Sequence, residues 1–290
     1  MNFDLNDEQQ QVADSLSRLL ADHCGFEQRR AIAASGAGWS MALWHRLAEL
    51  GVTALGTPEA FGGLGGGAAD RLPVMQALGR AQALEPYLAS AVLGATAVRE
   101  AGSPAQKDAL LPAVAGGELR LAFAHDEEAG RHAPLWVDTR ARLTPQGWQL
   151  NGAKALVLHG ASAQQIVVTA RTHGEPGDAD GLALFLVDPR SPGVSLRGYR
   201  LIDDTPAAAL ALDGAQAQPL GDAADGPRAS TALQATLAAG TAAACADMVG
   251  AMECAFSLTT EYVNTRKQFG RAIGEYQAVR HRLPEVAGQA

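Results

Sequence analysis

The chain has 290 residues, 47% of them hydrophobic and 19% charged, an ordinary globular composition that excludes disorder as the main state. That length implies two ordinary domains or three small ones and allows a sizeable buried core. With 31 acidic against 23 basic residues the net charge is -8, and the basic residues lie in short scattered clusters, which excludes a nucleic-acid partner.

The first third predicts helix after helix. Asn6 followed by Gln9 has the spacing of a capping box, after which Val12, Leu16, Leu19 and Leu20 recur on one helical face. A second helix carries Leu43, Trp44, Leu47 and Leu50 and stops at Gly51. A third spans Asp70 to Glu85 and ends before Pro86, and a fourth reaches Ala101-Gly102. Ser103-Pro104 supplies an N-cap and a first-turn proline for a helix that Pro112 is expected to limit.

From about Leu119 the hydrophobic period becomes two. Trp136 to Leu143, Trp148 to Leu156, Gln165 to Ala170, Gly181 to Asp188, Val194 to Tyr199 and Ala208 to Asp213 each predict a strand, with Pro145-Gln146-Gly147 closing a hairpin. No helical segment separates these strands. A parallel dinucleotide-binding sheet is therefore disfavoured, and an antiparallel barrel or sandwich is expected.

After the turn-rich Pro219 to Pro227 the pattern returns to helix as far as Arg266. A second helix is expected to begin near Gly274 or Glu275 and to be disrupted at Pro284. These two helices make only part of a bundle, and the small apolar face around Ala238, Ala242, Val249 and Ala255 requires a covering partner. The expected domains are therefore 1–117 (all-α), 118–222 (β) and 223–290 (a partial helical bundle).

Thr231 to Ala246 is expected to be too short and too polar to span a bilayer, and MNFDLNDEQQ lacks the basic-then-apolar order of a secretory signal. A soluble, cytoplasmic protein without a membrane partner follows as the expectation. Cys24, Cys245 and Cys254 form no CxxC pair and read as small apolar side chains. FGGLGGG at Phe61 to Gly67 fits neither G-x-G-x-x-G nor a P-loop, so it reads as a flexible turn. His125, His132 and His159 match no metal-ligand spacing and are expected to be solvated, beside the acidic Asp126, Glu127 and Glu128. With no G-x-S-x-G, a serine hydrolase has no support.

The most informative stretch is Asn264-Thr265-Arg266-Lys267-Gln268-Phe269-Gly270, followed by Ile273-Gly274-Glu275-Tyr276-Gln277-Ala278-Val279-Arg280-His281. Cations at a helix C-terminus complement its dipole, and an arginine fork beside amide donors equally suits a pyrophosphate. RKQFGRAIGEYQAVRH resembles the signature of the acyl-CoA dehydrogenase family, R-K-Q-F-G followed by I-x-x-[FY]-Q-A. FDLNDEQQ, PEAFGGLGG, QKDALLPAVAGGELRLAFA and GWQLNGAK resemble further family segments across almost the whole chain.

The resemblance implies FAD held between sheet and helices, an acyl-CoA thioester dehydrogenated at its α,β bond, and electrons passed to an electron-transferring flavoprotein. It also implies that Arg266, Gln268, Phe269 and Gln277 contact the adenosine diphosphate part of FAD, commonly across a subunit interface. Other positions depart from the family. Its [ST]-E-P-x-x-G-S-D loop aligns with His125 to His132, where only Gly130 survives, and its K-x-W-I-T-N reads Lys154 to His159. Leu158 lacks the hydroxyl that meets the flavin.

No catalytic residue is assigned. Most members place the base beyond the point where this chain stops, and the alternative position on the long helix, counted back from Arg266, is Gly240. Glu253 and Glu261 are expected to face solvent or a partner. Three expectations follow: an FAD-dependent acyl-CoA dehydrogenase, a non-catalytic partner subunit of a heteromeric one, or a truncated inactive member, with assembly as a homo-oligomer or as a hetero-oligomer with a family paralogue.

Overall fold

The computed structural model describes residues 5–131, 133–178 and 180–288. The chain opens with α1 (Asp7–His23), α2 (Phe26–Ala34), α3 (Met41–Glu49) and α4 (Ala68–Ala81). A π-helical turn over Tyr87–Gly94 then continues directly into α5 (Ala95–Ala101), followed by α6 (Pro104–Ala115). The α1 capping box forms as the spacing predicts: the Gln9 N–H donates to Asn6 Oδ1 at 2.8 Å, and the Asn6 N–H donates to Gln9 Oε1 at 3.0 Å. Leu16, Leu20, Leu43, Trp44 and Leu47 enter one core with Val74, Leu78, Tyr87 and Val92. α2 has no counterpart in the predicted elements because Ala33 is its one buried residue, so it has no apolar periodicity to detect.

Several boundaries differ from the expectation. α4 ends at Ala81 because Gln82 adopts a left-handed conformation (φ 50°) and its N–H closes on the Gly79 carbonyl at 3.0 Å. Pro112 and Pro284 sit inside helices rather than ending them. A helical proline removes one donor, and the carbonyls four residues earlier belong to the exposed Asp108 and Arg280, where water is at hand.

Seven strands follow: β1 (Leu121–Ala124), β2 (Arg140–Thr144), β3 (Gly147–Leu158), β4 (Gln165–Arg171), β5 (Leu182–Val187), β6 (Val194–Arg200) and β7 (Pro206–Pro219). β4–β5, β5–β7, β7–β3 and β3–β2 pair antiparallel, and β2 returns to β4 through Arg140 opposite Arg171, so the pairings run in a circuit. β6 lies antiparallel on β7. The sheet is mixed rather than wholly antiparallel, because β1 and β2 share one edge of β4 and both run parallel to it. β1 escapes the sequence pattern at four residues buried on both faces, and 136–139 is not strand.

Two cores flank the sheet. Ile166 and Val168 of β4 face inward with Phe185, Leu150 and Leu210, while Val167 faces Val98, Leu111 and Leu233 of the helices. Strands buried on both sides read as continuous apolar runs, as LALFLV of β5 does.

α7 (Gly226–Thr265) is a single helix of 40 residues, and α8 (Gln277–Ala287) follows it. α7 packs on α4 at backbone contact: a Cβ on Gly79 would stand 2.0 Å from the Asp247 carbonyl oxygen, and one on Gly250 2.0 Å from that of Gln76. By length and composition α7 is able to cross a bilayer, with a window of mean hydropathy 1.3, contrary to the reading of Thr231 to Ala246 alone. The reason is that the helix extends well beyond that stretch. Its buried face, with Ala229, Leu233, Thr236, Ala243 and Gly250, lies on protein. On the opposite side Ala238 and Ala255 are exposed, and Ala242 and Val249 are half-buried.

Candidate cofactor site

The chain reverses sharply after α7. β8 (Lys267–Gln268) and β9 (Arg271–Ala272) form a hairpin whose turn residues, Phe269 and Gly270, both have positive φ (52° and 85°). That geometry suits a two-residue hairpin, and glycine adopts it without strain. Tyr276 organises the hairpin. Its hydroxyl donates to the Gln268 carbonyl at 2.9 Å, its ring meets that of Phe269 edge-on at 6.4 Å, and the Arg271 guanidinium lies over it at 4.1 Å. The Ile273 N–H donates to the Arg266 carbonyl at 2.9 Å, tying the return strand to the helix end.

Arg266, Gln268, Phe269 and Gln277 are thus carried on one hairpin and the first position of α8, and all four are exposed. Phe269 is 93% exposed. Arg266 and Lys267 make no ion pair among the described residues. An open aromatic face beside two uncompensated cations is chemically matched to a base and a diphosphate. Tyr276 occupies the [FY] position of the I-x-x-[FY]-Q-A pattern, which marks the residue without showing that it organises the hairpin.

The loop at residues 125–131 is satisfied from within. Lys154 Nζ is buried and donates to Glu127 Oε1 at 2.7 Å, Thr169 Oγ1 at 3.0 Å and the His125 carbonyl at 3.2 Å. Glu127 also accepts from the Thr139 hydroxyl at 2.7 Å and from the Thr139 and Asp138 amides. Burial pushes the Lys154 ammonium down to about 8 against the pull of Glu127. For Glu127, burial acts upward, but Lys154 and the Thr139 donors outweigh it and hold the carboxyl below its usual range. The pair is ionised at neutral pH. Gly130 lies under the Trp136 indole, whose Cδ1 would stand 2.7 Å from an added Cβ, so this position admits glycine alone.

The histidines differ from expectation. His125 and His159 are buried rather than solvated, and burial pushes each down to about 4, so both are neutral at pH 7. His132 lies outside the described residues.

Leu158 and His159, at the tip of β3, border a cavity of about 330 Å³ between the sheet, α4 and α7, where Glu85, Asp203, Asp247 and Met248 also stand. Glu85 Oε1 accepts the Ser40 amide at 3.2 Å, Oε2 is buried without a partner, and burial raises the carboxyl to about 7. Burial, and then the neighbouring Asp203, raise Asp247. Neither carboxylate is signalled by a motif. Gly240 faces Leu93, whose Cδ2 would lie 2.5 Å from an added Cβ, and Glu253 pairs with Arg80 at 3.3 Å.

Helical layer, mixed β layer and a long helix ending in an Arg-Lys-Gln-Phe-Gly hairpin define a flavin-dependent dehydrogenase fold. The N-terminal, middle and C-terminal domains of acyl-CoA dehydrogenase match residues 6–118, 122–214 and 230–290. The chain belongs to the acyl-CoA dehydrogenase family, whose members are oxidoreductases.

It is 30% identical over 288 residues to acyl-CoA dehydrogenase FadE27 of Mycobacterium tuberculosis, covering 98% of this chain and 72% of that one. It spans 63% of the length of the acryloyl-CoA reductase (NADH) of Anaerotignum propionicum. Among solved structures, the Tcur3481-Tcur3483 steroid ACAD G363A variant is 32% identical with a TM-score of 0.83, covering 96% of this chain and 73% of that one. The ChsE4-ChsE5 complex from Mycobacterium tuberculosis is 28% identical with a TM-score of 0.85, covering 99% and 76%. FAD is the cofactor of the family, and the FAD complex of PigA shares the fold at 22% identity and a TM-score of 0.87. The hairpin donors fit the adenosine diphosphate half of that cofactor, whereas in the loop of His125 to Arg131 the buried His125 and the carboxylate of Glu127 are taken up by groups of this chain.

Proposed function

We propose that this chain is one subunit of a heteromeric, FAD-dependent acyl-CoA dehydrogenase and that it completes the cofactor site of a paralogous subunit. The observation that carries this reading is the contrast between two segments of the chain. The hairpin leaves Arg266, Gln268 and Phe269 exposed, Arg266 with no ion pair among the described residues, while Glu127, Lys154, Thr139 and Thr169 satisfy one another. The paired names of the Tcur3481-Tcur3483 and ChsE4-ChsE5 structures support the heteromeric arrangement.

In this assembly Arg266, Gln268, Phe269 and Gln277 would hold the adenosine diphosphate half of FAD, the arginine fork suited to its charge and the glutamine amides to its hydrogen-bonding groups. When bound, FAD supplies the hydride acceptor for α,β-dehydrogenation of an acyl-CoA thioester. An electron-transferring flavoprotein is the proposed electron acceptor, and the cytoplasm the proposed compartment. The test is the FAD content of the purified chain, alone and after co-expression with a family paralogue. A colourless chain that acquires stoichiometric FAD with the paralogue, and loses it on Arg266→Ala, is the expected result. Stoichiometric FAD in the isolated chain overturns the proposal.

A second reading, an autonomous dehydrogenase, draws on the cavity beside Leu158, where Asp247 carries a raised pKa on the long helix. Dye reduction by the isolated chain with an acyl-CoA, abolished by Asp247→Asn, would favour it.

A further inference from the structure

The glycine-rich turn that no nucleotide motif explains lies beside two arginines. Gly56, Gly65, Gly66 and Gly67 border a cavity of about 550 Å³ into which Arg71 and Arg99 project, with α7 forming the far wall. Arg71 is 6% exposed and has no ion pair or side-chain hydrogen bond among the described residues. Its guanidinium lies flat against Gly56, where an added Cβ would stand 2.6 Å from Cζ. Arg99 donates to the Gly56 carbonyl through Nη1 at 2.8 Å.

The carboxylates beside this pair are engaged elsewhere. Asp70 accepts the Gly67 amide at 2.7 Å and the Gln9 side chain at 2.9 Å, and Glu100 binds Arg99 Nε at 2.8 Å. Arginine does not neutralise itself by losing its proton, so burying its charge without a counter-charge is strongly unfavourable. Burial acts most strongly against the Arg71 cation and the like charge of Arg99 adds to it, against smaller favourable contributions from Tyr87 and Asp70. The α4 N-terminus, at Gly67 and Ala68, adds a positive dipole end at the same cavity.

We propose that this cavity is an oxoanion-binding site, taking the phosphate or carboxylate of a small molecule between Arg71 and Arg99. The two guanidinium groups provide planar donor forks, and the glycines permit close approach. The site stands apart from the hairpin of Arg266 and does not depend on the subunit reading.

The probe is inorganic phosphate, titrated into the 290-residue chain against chloride at matched ionic strength, with calorimetry and the arginine Nε–H resonances as readouts. Saturable binding that shifts the Arg71 resonance is expected, weakened at least tenfold by Arg71→Met and at least threefold by Arg99→Gln. Because Arg71→Met removes a buried charge that no ion pair balances, it is expected to raise the Tm in phosphate-free buffer, whereas phosphate raises the Tm of the unaltered chain alone. Acetate binding at the same resonance would assign a carboxylate source; phosphate without acetate would assign a phosphoryl one. Absence of saturable phosphate binding, or binding unaffected by Arg99→Gln in a folded variant, overturns the proposal. So does a destabilising Arg71→Met variant that keeps its phosphate response.

Discussion

Lys154 Nζ and Glu127 Oε1 lie 2.7 Å apart, with neither side chain more than 7% exposed, and together they hold the loop after β1 against the sheet. Removing one partner of such a pair leaves an isolated buried charge, which costs about 3–5 kcal/mol. Lys154→Met is therefore expected to lower the unfolding free energy by roughly that amount in a denaturant titration, and adding Glu127→Gln is expected to recover more than half of it. Additive losses in the double variant would mean that the two residues do not depend on each other.

The pH dependence has a separate origin in Glu85. Its folded pKa of about 7 lies above the model-peptide value, so the folded chain binds the proton more tightly than the unfolded one. Its contribution is complete at acidic pH and is lost as pH rises through 7. Glu85→Gln, neutral throughout, is expected to be more stable than the parent at pH 8 by up to about 3 kcal/mol and to differ little at pH 5. Tm measurements of both chains at the two pH values check this; an equal offset at both would refute it. Comparing variants cancels the opposing contributions of His125 and His159, which destabilise the fold as pH falls from 6.5 towards 4.

The α4–α7 contact tolerates no side chain at its two glycines. Gly250→Ala places a methyl against the Gln76 carbonyl and Gly79→Ala places one against that of Asp247, so each is expected to cost about 1–3 kcal/mol or more by overpacking. Since both substitutions separate the same two helices, the double variant is expected to lose less than the sum. Thermal unfolding of the three variants tests the coupling.

The hairpin behaves differently. Phe269→Ala, at a 93% exposed position, is expected to change the stability of the isolated chain by less than about 0.5 kcal/mol. Tyr276→Phe deletes the bond to the Gln268 carbonyl and is expected to cost about 1 kcal/mol, with greater amide hydrogen exchange confined to 266–277. Protection unchanged over that segment would mean that Tyr276 does not organise it.

Local chemistry was legible where the partners are close in sequence. Asn6 with Gln9, Ser103 with Pro104, and the short apolar runs of β3 to β7 between their turns all follow from neighbouring residues, and the Arg266 to Gln277 stretch is contiguous. What escaped depends on residues far apart. Lys154 meets Glu127 across 27 positions, Arg71 and Arg99 border one glycine-lined cavity, and His125 is buried against Thr169, 44 positions away. Pro112 and Pro284 depart from the local rule for the opposite reason: the residues four positions earlier, Asp108 and Arg280, are exposed, so the lost helical bond costs less there.

Gly250 makes the last glycine contact of α7 on α4, and beyond it the helix keeps the Glu253–Arg80 pair at 3.3 Å and one buried residue, Val263. From Gly250 to Thr265 the helix extends about 22 Å at ~1.5 Å per residue, carrying the hairpin at its tip. The glycine contact is in effect a clamp and the remaining helix a cantilever. A tilt of about 5° at the clamp displaces the Arg266 guanidinium by roughly 2 Å, comparable to the difference between a formed and a broken hydrogen bond. Packing deep in the helical layer therefore sets where that charge is delivered.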